Sequence, residues 1–199
     1  MRSLAALGMT LWVVGCASQN STADFYFKKN DLAQPKLAAF PHCRSGGCTK
    51  VDKVSLTQRD IASIKKLFPA ESPVAERKQI AKAIGEWENI VGHKTGTYRD
   101  TGNSYSGDMF QQDCVDESTN TTVYLTMMQD MGWLKFHTVN APQSRAPLFS
   151  GNFGPHRTAQ IEDKNTHIRY AVDSWFFDNG KPAEIIDIAT WKSGWHPWD

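Results

Sequence analysis

The chain has 199 residues, a formal net charge of +1 at pH 7 and a hydrophobic fraction of 40%. A near-neutral chain without a basic stripe gives no signal for binding nucleic acids or other polyanions. The length is sufficient for one domain with its own hydrophobic core, and the sequence contains no internal repeat.

The first residues have the features of a targeting segment. Arg2 is followed by an apolar run over residues 4–14, which is too short to cross a bilayer. The run ends in Val13-Val14-Gly15-Cys16, which resembles the lipobox of bacterial lipoproteins. This resemblance implies cleavage after residue 15 and a lipid on Cys16. Ala17 is not the aspartate of inner-membrane lipoproteins, so the anchor would lie at the periplasmic face of the outer membrane in a Gram-negative bacterium. The alternative is an ordinary secretory signal with a chance cysteine.

Residues 24–50 are predicted to be irregular, with two cysteines five positions apart in His42-Cys43-Arg44-Ser45-Gly46-Gly47-Cys48. An exported protein can form disulfides, and a Gly-Gly loop can close so short a ring, so we predict a Cys43–Cys48 disulfide. The alternative is a metal site with His42 as a third ligand, but no second cysteine pair completes four ligands. We therefore expect neither a metal nor a cofactor, and Cys114 remains the one cysteine without a lipid or a partner.

Two helices are predicted before the middle of the chain. The first begins at Ser55, because Ser55 and Gln58 have the spacing of a capping box. The second covers residues 74–91, where apolar residues recur at helical spacing on one face. The apolar positions of the second helix are Ile80, Ile84, Trp87 and Val91.

A polar loop is predicted over residues 92–112, and Cys114 follows it at the start of a helix that continues to residue 131. A cysteine at this position lies in the positive end of the helix dipole, which favours the thiolate. The thiolate is the form that acts as a nucleophile. Cys114 is therefore the first candidate for a catalytic residue.

A strand is predicted over residues 133–139, followed by an irregular stretch over residues 141–155. Alternating patterns at residues 156–162 and 166–173 then indicate a hairpin, and a last strand is predicted over residues 184–188. A two-residue turn at Lys164-Asn165 would place His156 directly opposite Asp173, with Cβ atoms roughly 5 Å apart.

Cys114, His156 and Asp173 are the residue types of a nucleophilic triad: the histidine takes the thiol proton, and the carboxylate orients the histidine. The rival histidine is His167, which faces Glu162 in the predicted register. An oxyanion also needs hydrogen-bond donors. The candidate donors are the backbone N–H of Cys114 and the side-chain amides of Gln111 and Gln112.

The order of these residues resembles the transglutaminase-like superfamily of cysteine enzymes. Its members carry a cysteine that opens a helix, a histidine on one strand and an aspartate about 17 residues later on the next. The matching motifs are Asp113-Cys114, His156, Val172-Asp173-Ser174-Trp175 and the helix end Met128-Gln129-Asp130-Met131-Gly132-Trp133. The resemblance covers roughly residues 75–190. It implies an α+β, papain- or transglutaminase-like fold, in which N-terminal helices precede a nucleophile helix packed on an antiparallel sheet.

The predicted organisation is a signal peptide at residues 1–15, a tether with a disulfide loop at 16–54 and a transglutaminase-like domain at 55–199. The resemblance implies a thiol-dependent hydrolase or acyltransferase, of the bacterial transglutaminase-like cysteine protease type, acting on an amide bond. Its partner would be a protein or peptide substrate in the cell envelope, and its lipid would hold it on the membrane. The alternative is a non-catalytic periplasmic lipoprotein that binds a protein or cell-wall partner.

Overall fold

The structure is a computed structural model that describes residues 22–105, 107–146 and 155–198. The predicted signal peptide and the lipid site at Cys16 lie outside these residues. The described part contains five α-helices: α1 Ala23–Lys29, α2 Gln58–Lys65, α3 Pro73–Thr95, α4 Cys114–Asp130 and α5 Ile188–Lys192. None of these helices has the length and apolar character needed to cross a membrane.

Two antiparallel sheets accompany the helices. The first pairs β1 Phe40–Arg44 with β2 Lys50–Val54. The second has four strands in sequential order: β3 His137–Arg145, β4 His156–Asp163, β5 Arg169–Asp173 and β6 Glu184–Asp187. The fold is therefore α+β, as the sequence predicts.

α4 is the central helix. Every residue from Asp116 to Met128 is buried, and the helix packs against α3, β1, β3 and β4. A helix without a solvent face must satisfy its polar side chains internally. Its threonines do so by donating to carbonyls one turn back, as Thr122 Oγ1 does to Ser118 O at 2.7 Å and Thr126 Oγ1 to Thr122 O at 2.8 Å. Threonine-rich sequence here therefore marks a buried helix.

The start of the described chain contributes to the same core. Residues 24–50, predicted to be irregular, contain α1 and β1, and Phe27 and Phe40 are fully buried. Phe40 packs edge-on against Trp87 of α3 and Tyr124 of α4, and these two rings stack at a centroid distance of 5.0 Å. Residues 22–54 thus supply core side chains as well as the disulfide loop.

Helix boundaries differ from the predicted ones for local reasons. The capping box of α2 is formed by Thr57 and Asp60, so the predicted Ser55–Gln58 box is wrong. α3 extends through Gly92, which was predicted to lie in a loop. A Cβ at Gly92 would lie 2.8 Å from the backbone nitrogen of Tyr98. Gly92 therefore permits close packing within the helix, and the helix ends at Gly96, where φ is +90°.

β3 begins at His137 and continues to Arg145, so the predicted strand over residues 133–139 and the irregular stretch after it are both misplaced. The pairing of β3 with β4 is interrupted between Asn140 and Gln143. Pro142 lies in this interruption, and a proline cannot donate to a strand ladder. The strand accommodates it through a bulge.

The β4–β5 hairpin is shifted by two residues from the predicted register. Ala159 pairs with Val172, and Glu162 pairs with Arg169. The turn is longer than Lys164-Asn165, because the Asp163 carboxylate accepts the N–H groups of residues 165 and 166 at 2.9 and 3.0 Å. His156 therefore does not lie directly opposite Asp173.

Candidate active site

Cys114 is the first residue of α4 and follows the helix N-cap Asp113. Its thiol is partly buried and lies near enough to the backbone N–H of Arg157 for that group to oppose the rise of the thiol pKa. Arg157 is the residue after His156 on β4. The central helix therefore places the cysteine beside the end of the strand that carries the histidine.

The expectation that the helix N-terminus favours the Cys114 thiolate is wrong for this structure. Burial, followed by the charge of Asp113, raises the pKa of the Cys114 thiol to about 11. The Asp113 carboxylate also accepts the N–H groups of Val115 and Asp116 at 2.9 and 3.0 Å. A carboxylate thus already compensates the positive end of the helix dipole, and the thiol is protonated at neutral pH.

His156 and Asp173 form a buried pair. His156 Nε2 lies 2.8 Å from Asp173 Oδ2, and the side chains are 3% and 1% exposed. Among the described residues, His156 Nδ1 has no hydrogen-bond partner. With Nε2 held by the carboxylate, Nδ1 is the ring nitrogen available for proton exchange.

Three aromatic rings surround the imidazole. The ring centroids of Trp175, Phe176 and Trp191 lie 4.7, 5.2 and 5.6 Å from that of His156. All three rings are at least 97% buried. They restrict rotation of the imidazole and keep water from its bond with Asp173.

The rival histidine occupies a different place. His167 lies in the β4–β5 turn, at the opposite end of β4 from His156, and its side chain is 76% exposed. Its Nδ1 is 3.1 Å from Glu162 Oε1, so the predicted neighbour is correct although the register is not. This pair lies at the other end of β4 from Arg157, the residue whose backbone is near Cys114.

The two glutamines before Cys114 use their amides to join loops. Gln112 Nε2 donates to Cys43 O at 3.1 Å, and the Gln112 backbone N–H donates to Asp100 Oδ1 at 2.8 Å. Gln111 Nε2 donates to Arg99 O at 2.9 Å. Each side-chain amide therefore already donates to a backbone carbonyl. An oxyanion role for Gln111 or Gln112 stays a prediction.

Neither a family model, nor a curated protein, nor a solved structure matches this chain. The chemistry of the site therefore rests on its own residues.

A disulfide loop holds the start of α4. Cys43 and Cys48 are joined, with their Cα atoms 4.6 Å apart. The loop binds the capping carboxylates through three backbone N–H groups: Gly46 and Cys48 donate to Asp116 at 2.7 Å each, and Gly47 donates to Asp113 at 2.8 Å. Successive N–H groups can converge on an anion when the backbone adopts positive φ. The φ values are +72° at Ser45, +79° at Gly46, +61° at Gly47 and +57° at Cys48.

His42 has a separate role. It is buried between Tyr124 Oη, 3.1 Å from its Nδ1, and Thr97 Oγ1, 3.2 Å from its Nε2. Burial lowers the pKa of His42 to about 4, so the ring is neutral.

The potential ligand atoms of Cys43, Cys48 and Asp116 lie within 4.8 Å of one another. The metal alternative considered His42 as the third ligand, but the residue that lies beside the two cysteines is Asp116.

A buried carboxylate cluster, formed by Glu88, Asp100 and Glu117, lies beside Ser174. Ser174 follows Asp173 in sequence and donates to Glu117 Oε2 at 2.6 Å. Burial is the main cause that raises the pKa of Glu88 to about 8, of Asp100 to about 7 and of Glu117 well above its usual value. This cluster was not predicted from the sequence. One available signal was the position of Glu88, four residues after Ile84 on the apolar side of α3.

One cavity among the described residues lies away from this site. It has a volume of about 890 Å³ and is lined by residues of α1, the C-terminal end of α4 and the β3–β4 pair, among them Asp24, Asp130 and Glu162. None of Cys114, His156 and Asp173 lines it. Its charges are also partly paired, since Arg169 Nε lies 2.9 Å from Glu162 Oε2. This cavity is therefore not the place where Cys114 would act on a substrate.

Proposed function

We propose that the protein is a thiol-dependent hydrolase or acyltransferase that acts on an amide bond of a protein or peptide in the cell envelope. The observation that supports this proposal is the buried His156–Asp173 bond, beside which His156 Nδ1 has no hydrogen-bond partner among the described residues. The next residue on the strand, Arg157, has its backbone N–H near the Cys114 thiol. A thiol, an imidazole and a carboxylate are the residue types that general-base activation of a thiol requires, and His156 Nδ1 is the atom that would accept the thiol proton.

The proposed reaction begins with transfer of the Cys114 thiol proton to His156 Nδ1 as Sγ attacks the carbonyl carbon. Asp173 stabilises the imidazolium that forms. The imidazolium then gives its proton to the leaving amine, and a thioester remains on Cys114. Water attacks the thioester in a hydrolase, and an amine attacks it in an acyltransferase. In either case His156 accepts the proton of the attacking group and returns it to the thiol. We favour hydrolysis, because water is always present and no lysine-binding feature is visible in the sequence.

The high pKa of Cys114 determines which form of this mechanism applies. A thiol with a pKa of about 11 holds only about one thiolate in ten thousand at pH 7. The Cys114 thiol is therefore protonated in the resting site. Proton transfer accompanies attack, in contrast to enzymes that store a thiolate–imidazolium pair.

The finer fold and the location belong to the same proposal. A papain- or transglutaminase-like arrangement is supported by α4, which carries the cysteine and packs on the antiparallel sheet that carries the histidine and the aspartate. The lipobox-like sequence at Cys16 supports a lipid-anchored protein on the periplasmic face of the outer membrane. The Cys43–Cys48 disulfide is consistent with an oxidising compartment.

A second function is favoured by one observation. Because burial and Asp113 raise the pKa of Cys114, the cysteine lacks the reactivity of a stored thiolate. The alternative is a non-catalytic periplasmic lipoprotein that uses the same fold to bind a protein or cell-wall partner. Under this alternative His156 has no influence on the reactivity of Cys114.

The rate of Cys114 alkylation by iodoacetamide distinguishes the two functions. The proposed enzyme predicts that, at pH 7, the wild-type protein reacts at least about tenfold faster than His156→Ala, because only the wild type can transfer the thiol proton. Cys114→Ser measures background labelling. Equal rates in the wild type and His156→Ala would reject the enzyme proposal and leave the binding function.

A further inference from the structure

Asp173 has a second buried donor besides His156. Trp191 Nε1 donates to Asp173 Oδ2 at 2.8 Å, the same oxygen and the same distance as His156 Nε2. Trp191 is fully buried, belongs to α5 and lies 18 residues beyond Asp173 in the chain.

Two further contacts fix the position of Trp191. The Asp187 carboxylate caps α5 by accepting the N–H groups of residues 189 and 190 at 2.9 and 3.1 Å. Arg145 Nη1 donates to the backbone oxygens of Trp191 and Trp195, and its guanidinium lies 4.6 Å from the Trp191 ring centroid. Arg145 pairs with His156 in the β3–β4 register. Arg145 on β3, the strand paired with that of His156, thus holds the Trp191 indole in place.

We propose that Trp191 is a positioning residue of the Cys114–His156–Asp173 site and acts on His156 through Asp173. This inference rests on the proposed function for its chemical meaning. A buried N–H donor to a carboxylate withdraws negative charge from the oxygen that it shares. It also prevents the carboxylate from rotating away from the imidazole, since both donors must be satisfied together.

The two effects predict what happens when the indole N–H is removed. Asp173 Oδ2 then concentrates its charge on His156, so the imidazolium form is stabilised and persists to higher pH. An imidazolium cannot accept the thiol proton of Cys114. The acid limb of the alkylation pH profile therefore moves to higher pH by about one unit in Trp191→Phe.

The experiment measures two quantities in the wild type and in Trp191→Phe. One is the pH profile of Cys114 alkylation by iodoacetamide, and the other is the NMR titration of the His156 imidazole, assigned by its absence in His156→Ala. We expect both midpoints to move upward together. A purely structural role for Trp191 would lower the alkylation plateau without moving either midpoint.

Two further variants control for loss of a buried ring. Benzothienylalanine at position 191 keeps the shape of tryptophan but replaces the N–H by sulfur, so it tests the hydrogen bond even if Trp191→Phe fails to fold. Trp87→Phe removes a fully buried indole whose Nε1 has no hydrogen-bond partner among the described residues, and it should leave both midpoints unchanged.

Each outcome separates the inference from the proposed function. Upward shifts with benzothienylalanine and none in Trp87→Phe support a positioning role. Unchanged midpoints with benzothienylalanine, in a protein whose wild-type alkylation depends on His156, overturn the inference and leave the enzyme proposal standing. If wild-type alkylation does not depend on His156, the enzyme proposal fails. The imidazole titration alone then decides whether Trp191 controls His156.

Discussion

His156 and Asp173 are joined by a 2.8 Å contact although they are diagonal neighbours in the β4–β5 pair. Continuing the pairing of Ala159 with Val172 by one step places Thr158 opposite Asp173. His156 lies two positions further along β4, and side chains two positions apart point to the same side of a sheet. The two-residue change in register therefore preserves the His156–Asp173 contact, whereas a one-residue change would separate the side chains.

Asp173→Asn tests the contribution of this contact to the proposed chemistry. Asparagine keeps the size of the side chain but has no charge to stabilise an imidazolium. We expect the rate of Cys114 alkylation at pH 7 to fall by at least about tenfold. Asp31→Asn is the matched control, because Asp31 is exposed and adopts a positive φ that asparagine tolerates. A rate in Asp173→Asn equal to that of the control would show that the carboxylate does not assist proton transfer.

Reduction of the Cys43–Cys48 disulfide should loosen the start of α4. The disulfide loop supplies N–H groups to Asp116 and Asp113, and it constrains the unfolded chain. Cys43→Ser/Cys48→Ser should therefore lower the free energy of unfolding by about 2 kcal/mol. Hydrogen exchange should accelerate in the first turn of α4. A reducing agent should reproduce both effects in the wild type and have no further effect on the double variant. If exchange in α4 stayed unchanged, the loop would not be what holds the helix start.

Glu117→Gln tests the buried carboxylate cluster through the pH dependence of stability. The pKa of Glu117 is raised by burial and then by Glu88 and Asp100, and the pKa of Glu88 is raised from 4.5 to about 8. Between pH 4.5 and about pH 8 these carboxyl groups therefore bind more protons in the folded protein than in the unfolded chain. The free energy of unfolding of the wild type therefore falls as pH rises from about 4.5 to about 8.

A glutamine imitates the protonated form of Glu117 and needs no proton. We expect Glu117→Gln to raise the free energy of unfolding at pH 8 by roughly 1–3 kcal/mol and to flatten its pH dependence. Denaturant unfolding at several pH values measures both effects. Glu71→Gln is the control, because it removes the same charge at an exposed site. Stabilisation that was equal at pH 5 and pH 8 would contradict this account.

Local patterns in the sequence are sufficient for the parts of the site that depend on one element. Cys114 begins a helix because Asp113 and Asp116 form a capping box, and the His156–Asp173 pair follows from two alternating strands. Periodicity also locates α3 correctly, apart from its continuation through Gly92. There, helical propensity is overridden by close packing against Tyr98.

Features that depend on distant residues were not predictable from local patterns. The pKa of Cys114 is set by burial, which only the folded chain determines. Trp191 reaches Asp173 because β6 and α5 return the chain over the site. The β4–β5 register, in contrast, has a local cause: the Asp163 carboxylate selects a longer turn than the two-residue turn that was predicted.

Glu76 provides a contrasting test, because it is a buried carboxylate that the fold keeps ionised. It lies in the first turn of α3 and accepts the backbone N–H groups of residues 135, 136 and 137 at 2.6–3.0 Å, together with His137 Nδ1 at 2.9 Å. Burial alone would raise the pKa of Glu76. The hydrogen bonds from His137 and the backbone outweigh burial, so the pKa lies below its usual value.

Glu76→Gln should lower the free energy of unfolding at pH 7 by roughly 2–4 kcal/mol, because an amide offers one acceptor oxygen and turns an NH₂ group toward donors. Since the pKa of Glu76 is lowered, its contribution is present above pH 4.5 and is lost as the pH falls further. The difference between the wild type and Glu76→Gln should therefore shrink below that pH. Glu162→Gln removes a carboxylate whose partners Arg169 and His167 are solvent-exposed, so it should cost less than about 1 kcal/mol. If the two variants lost a similar free energy of unfolding at pH 7, Glu76 would not be what holds residues 135–137 at the start of β3.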